Sequence, residues 1–210
     1  AAERGIQWEL RRALEVVEAL VDELPAERRG ACLRAARAAA ARVDAVSATL
    51  PLQVVHGDLT TDNVLRDADG RLWLVDLGDV GRSWRVAELA ILAADVLGRT
   101  DSLAQVGRAV AGFASAIDLT DDELEVLWPL VVLRGAVLAV SGASQLRIDE
   151  DNAYARERLE HELAVHDRAR VPLRAQLLEQ VDELALLLRD DGGDDLVPRP
   201  LRQLHELVGD

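Results

Sequence analysis

The chain has 210 residues, half of them apolar, and its 38 acidic against 24 basic side chains give a formal charge of −14. A surface of that sign repels a DNA or RNA backbone, which excludes nucleic acid as a general partner. A phosphorylated ligand then needs a divalent cation or a local positive cluster to be held. Neither lysine nor methionine occurs, and the single cysteine, Cys32, lies in an alanine-rich stretch that makes it a small core residue without an internal disulfide partner. No apolar run approaches the roughly 20 residues that span a bilayer, and the opening AAERGIQWEL is neither a signal nor a transit sequence. No membrane partner is expected, the cytoplasm is the expected location, and a start without methionine is expected of a processed chain or one cut from a longer polypeptide.

From Ile6 to Leu24, apolar residues recur at three- and four-residue steps, predicting an amphipathic helix that stops before Pro25. A second helix is expected from Arg29 to Ala48, where alanine favours both helix and close packing. Character changes at Leu50. PLQVV is short and partly β-branched, and VLRDADGRLWLVDL reads as two strands joined by a turn at Asp67 to Gly70, so that core strands flank the polar loop HGDLTTDN. Helices then return: Arg85 to Leu97, closed by Gly98, and Ser102 to Ala116. Thr120 and Glu123 form a capping box for a helix from about Asp121 to Ala143, bent or restarted near Pro129. Asn152 to Ala169 and Leu173 to Arg189 complete the series, and DDGGDDLVPRPLR reads as an acidic linker with a weak final helix. The fold class is mainly α with a small β-hairpin region, α+β overall, with residues 1–190 as one unit and 191–210 as a tail.

The loop HGDLTTDN gathers a histidine, two acids, two threonines and an asparagine into eight residues. His56, Asp58 and Asn63 fall as H-x-D-x-x-x-x-N, and Asp76 follows thirteen residues on with Leu77 and Gly78 behind it. This is the order and spacing of a kinase catalytic loop and metal-binding turn. Phosphoryl transfer needs an acceptor hydroxyl aligned with the γ-phosphate, and Asp58 is placed to orient it and accept its proton. It also needs Mg²⁺ on a few oxygen ligands, which Asn63 and Asp76 supply from the two ends of a short hairpin. His56 is assigned to positioning on the cofactor-binding side of the loop, together with Gly78. Asp62 and Asp79 read as capping or solvated acids.

VVHGDLTTDNVL followed by LWLVDLGD resembles the signature of the aminoglycoside phosphotransferase and choline kinase superfamily. Gly57 replaces the arginine usual in protein kinases, and Thr60 stands in place of their catalytic-loop lysine. Both departures point to the small-molecule branch. Within it the chain most resembles hydroxylysine kinase and its bacterial relatives, some fused to class III aminotransferases, through LGDVGRSWRVAELAILAADVLG and VLRGAVLAVSGASQ. The resemblance runs from about Ile6 to Leu188. It implies the C-terminal lobe of a protein-kinase-like fold, Asp58 as catalytic base, Asn63 and Asp76 as Mg²⁺ ligands, ATP or GTP as co-substrate, and the helices after Trp84 as the pocket for a small hydroxylated acceptor.

The complete family pattern includes an N-terminal lobe with a lysine on the α/β-phosphates, a Gly-rich loop and a strand-rich stretch. None of these is present, so the lobe is expected to be missing, to be supplied by the parent chain or from elsewhere, and the piece alone to be inactive. An acidic protein suits a cationic, amine-bearing acceptor. Two other readings stand beside this one: a non-catalytic kinase-like scaffold, and a metal-dependent hydrolase using His56, Asp58 and Asp76, which lacks the further clusters of a two-metal site. His161, His166 and His205 lie on charged helical segments and read as solvated. Arg134, inside an apolar helix, either meets an acceptor carboxylate or forms a structural ion pair.

Overall fold

The structure, a computed structural model, describes residues 9–149 and 151–169. A 3-10 turn, Leu10–Arg12, runs into α1, Ala13–Leu20, which tightens into a second 3-10 turn, Val21–Glu23. Leu24 is extended, as the residue before a proline must be, so the helix ends at its expected place. Pro25 then caps α2, Ala26–Val46, whose start is three residues earlier than the alanine pattern predicts because proline's fixed φ suits a helix entrance. Cys32 and Ala36 are fully buried on this helix.

Four short strands follow. β1, Leu52–Val55, pairs antiparallel with β4, Gly81–Trp84, and β2, Val64–Arg66, pairs with β3, Leu72–Leu74. The predicted turn is present: Gly70 adopts φ +82, and the Asp67 carboxylate accepts from the Asp69 and Arg71 amides at 3.0 and 2.8 Å. The strands are not the core strands the sequence suggests. In the β2–β3 ribbon Leu72 is 69% exposed and Trp73 57%, because no described helix packs extensively on it, whereas the β1–β4 pair, with Val54 69% exposed, lies against α3 and buries Val55 and Trp84.

α3, Arg85–Thr100, continues through Gly98, its expected terminus, and ends at Asp101, which takes the left-handed φ of 51. α4 is Leu103–Ala116, capped by the Ser102 hydroxyl, and α5 is Asp121–Ile148, opened by the reciprocal Thr120–Glu123 box. Pro129 lies within α5, which is one continuous helix rather than two. Its length and mean hydropathy of 1.8 would allow it to cross a membrane, contrary to the expectation of no such segment, but 89% of that stretch is buried here. α1, α2, α3 and α6, Ala153–Ala169, surround it, so α5 is the axis of the core. The predicted helix Leu173 to Arg189, the tail and His205 lie outside the described residues.

α6 approaches α3 and α5 where those helices carry glycine. A Cβ on Gly98 would overlap Val165 and His161, one on Gly142 would overlap the Glu162 carboxylate, and one on Gly135 would lie 3.0 Å from the His166 backbone. Gly98 is therefore a packing residue in a helix interior, and the close approach it permits is what shapes the cleft described next.

Candidate active site

The loop from His56 to Asn63 is held by contacts that fix its backbone. Gly57 has φ +86, and a Cβ there would lie 2.6 Å from the Asp79 carbonyl oxygen, so only glycine lets the loop pass this turn. The carboxylate of Glu88, buried on α3, accepts the Gly57 and Leu59 amides at 3.0 and 3.1 Å, gripping the chain on both sides of Asp58. His56 accepts the Asp58 amide on Nδ1 at 3.3 Å and so donates from Nε2 to the Val75 carbonyl at 2.8 Å. Both ring nitrogens are used within the chain, and the imidazole joins the Asp58 loop to the residue before Asp76.

Hairpin register brings the second half of the site in. Val64 faces Leu74, and one step further the Val75 amide donates to the Asn63 carbonyl at 3.1 Å, which sets Asp76 beside Asn63. The Asn63 amide nitrogen donates to the Asp58 carbonyl at 2.7 Å and lies 3.4 Å from Asp58 Oδ2. That commits the nitrogen inward and leaves the amide oxygen as the group a cation can use. Asp76 is exposed and left-handed, φ 59, a conformation aspartate tolerates better than most residues. Gly78 follows in the 3-10 turn Leu77–Asp79, and a Cβ there would make only ordinary contact, 3.6 Å from Asp76 Oδ1. One carboxylate and one amide oxygen form a hard, sparse donor set that fits Mg²⁺, which keeps waters and phosphate oxygens as its other ligands. Among the described residues no cluster of three or more His, Cys, Asp or Glu could cage a metal without such help.

Arg134 forms the ion pair within the chain that is one of the two sequence alternatives, with a partner the sequence does not name. It is buried on α5, and its guanidinium forms an ion pair with Asp58 itself. A second clasp holds the 3-10 turn Thr61–Asn63: Asp95 on α3 accepts the Thr61 amide and hydroxyl at 2.9 and 2.7 Å, and Arg99 bridges Asp95 to the exposed Asp62. Burial opposes the charge on Asp95, but these hydrogen bonds outweigh it and hold the carboxyl below its usual range.

A cleft of about 750 Å³ is lined by Asp58, Asn63 and Asp76, by Arg134 of α5, and by His161 and Glu162 of α6. The two histidines of α6 are not solvated, contrary to what its charged pattern suggests: His166 is 3% exposed and His161 is half-buried at the cleft, because the glycine contacts draw this face of α6 inward. Burial, and then the Arg99 guanidinium, push the His161 imidazole below its ordinary range. Glu162 is 4% exposed, and burial raises its carboxyl to about 7 despite Arg158 one turn away.

Comparison with known proteins bears on what this cleft is. The model of the phosphotransferase enzyme family matches residues 1–127, a stretch containing the whole loop and Asp76. The chain belongs to that family. The solved structure of amicoumacin kinase hAmiN in complex with AMP-PNP, Ca²⁺ and Ami resembles this phosphotransferase-family chain at a TM-score of 0.51 and 16% identity, over 81% of this chain and 51% of that one. The likeness establishes a kinase-like fold, mainly helical with small antiparallel sheets, and the chain spans about half the length of that kinase. No curated protein sequence matches.

Glu88, Asp95 and Glu162 escape the sequence reading of this family member. Glu88 and Asp95 look like polar positions of an amphipathic helix, and Glu162 like the surface partner of Arg158 four residues before it. The available signal is Glu88's place as the lone charged residue in the apolar run from Val86 to Ile91.

Proposed function

We propose that this chain is the metal- and acceptor-binding half of a small-molecule kinase that moves the γ-phosphate of ATP or GTP to a hydroxyl of a small, amine-bearing metabolite. The observation that carries this reading is that Asp58, Asn63 and Asp76 line one cleft, brought there by the β2–β3 register and by the loop bonds of His56 and Glu88. Asn63 and Asp76 would hold Mg²⁺, which when bound neutralises charge on the nucleotide phosphates. Asp58 orients the acceptor hydroxyl. As that oxygen bonds to the γ-phosphorus, the bond to the β–γ bridging oxygen breaks, the hydroxyl proton passes to Asp58, and the nucleoside diphosphate leaves. Arg134 fixes the Asp58 carboxylate in place, and Leu138 and Val165 give the cleft apolar surface that helps keep water from the reacting phosphate.

These 210 residues include no lysine to contact the α/β-phosphates of the nucleotide. The exposed apolar side chains of β1, β2 and β3 support a second, lysine-bearing lobe seated on this face, and without it the chain is inactive. The hydroxylysine kinase-like resemblance, with a possible fused aminotransferase, and a cytoplasmic location belong to the same proposal.

The test is transfer from radiolabelled ATP and GTP with Mg²⁺ to a panel of amino alcohols, using the chain alone and the chain joined to a lysine-bearing N-terminal lobe. Transfer by the joined form, lost in Asp58→Asn, is the expected result. No transfer by the joined form to any hydroxylated amine, with nucleotide binding intact, would favour the scaffold reading instead.

A further inference from the structure

Within that phosphotransferase reading, on which this inference rests, we propose that Asp95 of α3 is a positioning residue for the cation: through Thr61 it fixes the turn that carries Asn63, and so sets how well that amide oxygen serves as a ligand. The turn Thr61–Asn63 is three residues long and has no cap of its own, because the Thr60 side chain makes no capping hydrogen bond. The acceptor comes instead from 34 positions further along the chain, where Asp95 Oδ2 takes the Thr61 amide at 2.9 Å and the Thr61 hydroxyl at 2.7 Å. Two donors of one residue on one oxygen fix its backbone and its side chain together. Asn63 is two residues on and its amide donates to the Thr60 carbonyl at 3.1 Å, so a shift of the turn moves it.

Asp95 is placed to hold rather than to ligate. It lines the cleft that contains Asn63 and Asp76, but its side chain is only 9% exposed and both its oxygens are committed, Oδ2 to Thr61 and Oδ1 to Arg99 Nε at 2.9 Å. Burial works against the carboxylate, and the donors from Thr61 and Arg99 keep it charged. An asparagine here could accept from Thr61 only by turning its NH₂ toward the Arg99 guanidinium, donor against donor, so the carboxylate is required. The effect on the cation is direct because the candidate site offers it one carboxylate and one neutral amide oxygen. Misplacing the amide removes one of the two, and residues that orient a metal ligand are commonly worth about 10- to 100-fold in affinity.

The experiment titrates Mn²⁺ into isotope-labelled full chain and follows the paramagnetic broadening of the amide resonances of residues 75–78, which reports on the site itself without nucleotide or turnover. Asp95→Asn is expected to weaken Mn²⁺ binding about tenfold. Thr61→Val, which keeps the side chain's shape and loses the hydroxyl, should weaken it by a smaller factor, and Thr61→Ser should keep near-parent affinity. A role in helix packing alone would not follow the hydroxyl in this way. In an Asn63→Ala background, Asp95→Asn should cost nothing further, because the ligand it positions is gone. Parent-like affinity in folded Asp95→Asn, or an equal loss with and without Asn63, overturns the proposal; should Asp95→Asn not fold, Thr61→Val and Thr61→Ser binding Mn²⁺ alike overturns it. Asp76→Ala separates this inference from the reading beneath it: if that variant weakens Mn²⁺ binding while Asp95→Asn does not, only the inference fails, and if neither changes it, the metal site fails as well.

Discussion

Arg134 reaches from the middle of α5 to the carboxylate of Asp58, 76 positions earlier in the chain, and ties the core axis to the loop from His56 to Asn63. Asp58→Asn is expected to lower kcat by about 10²-fold or more with nucleotide affinity nearly unchanged, since shape is kept and the proton acceptor is lost. Arg134→Gln should lower kcat by about tenfold through loss of orientation, with Arg134→Lys recovering only part of it. The double variant should be no worse than Asp58→Asn alone, which steady-state kinetics of the chain joined to an N-terminal lobe would show; independent, multiplying losses would mean that Arg134 does not act through Asp58.

Asp76→Ala removes the charged half of the proposed metal site, so both turnover and Mg²⁺-nucleotide binding should weaken, with partial rescue at raised Mg²⁺. Asn63→Ala should be milder toward the metal, because a neutral oxygen is lost, but it also frees the Asp58 carbonyl that its amide nitrogen binds at 2.7 Å. Asp62→Ala serves as the control: Asp62 is exposed and its partner Arg99 keeps Asp95, so little change is expected. Mg²⁺ titrations of each variant separate the cases, and an unaltered Mg²⁺ dependence in Asp76→Ala would remove it from the metal site.

Glu88→Gln leaves one of two amides facing an NH₂ group. A buried N–H without an acceptor costs about 1–3 kcal/mol, so the melting temperature should fall by several degrees. The more specific readout is hydrogen exchange at the Gly57 and Leu59 amides, which should lose protection while the helical core keeps it. Retained protection at both would show that the loop is held by other contacts.

Glu162 also makes stability depend on pH, with a definite sign. Its carboxyl is raised from 4.5 unfolded to about 7 folded, so the folded state holds the proton more tightly. The contribution is fully present below about pH 4.5 and is lost as the pH rises through about 7, a difference on the order of 3 kcal/mol. Glu162→Gln cannot ionise. Its melting temperature should match the parent near about pH 4 and exceed it at about pH 8; parallel curves across that range would show that the carboxyl titrates normally.

The gathering of the loop residues and most helices are legible in the sequence because they rest on local rules. His56, Asp58, Asn63 and Asp76 announce themselves by residue type and interval, the Asp-Gly turn sets the hairpin that joins them, and Thr120 with Glu123 starts α5 as the capping pattern requires. What is not legible depends on which surfaces meet. Gly98 reads as a stop signal but serves as a gap for Val165 and His161, and that approach turns Glu162 and His166 from apparent surface residues into buried ones. The strands err the other way, apolar by composition yet exposed. Arg134 is conspicuous in an apolar helix, but its partner lies on a distant loop that no periodicity identifies.

The ribbon of β2 and β3, with Leu65, Leu72, Trp73 and Leu74 all more than half exposed, also bears on how the chain behaves in solution. Such a short apolar strand pair is a template for sticking to a second copy, and the opposing force is the repulsion between molecules that each carry a charge of −14. Salt screens that repulsion within about 8 Å at physiological ionic strength while leaving the apolar attraction in place. Colloidal stability should therefore decline as salt is added, the reverse of what is usual for a protein held together by surface ion pairs, and the ribbon is where the first contacts between molecules should form.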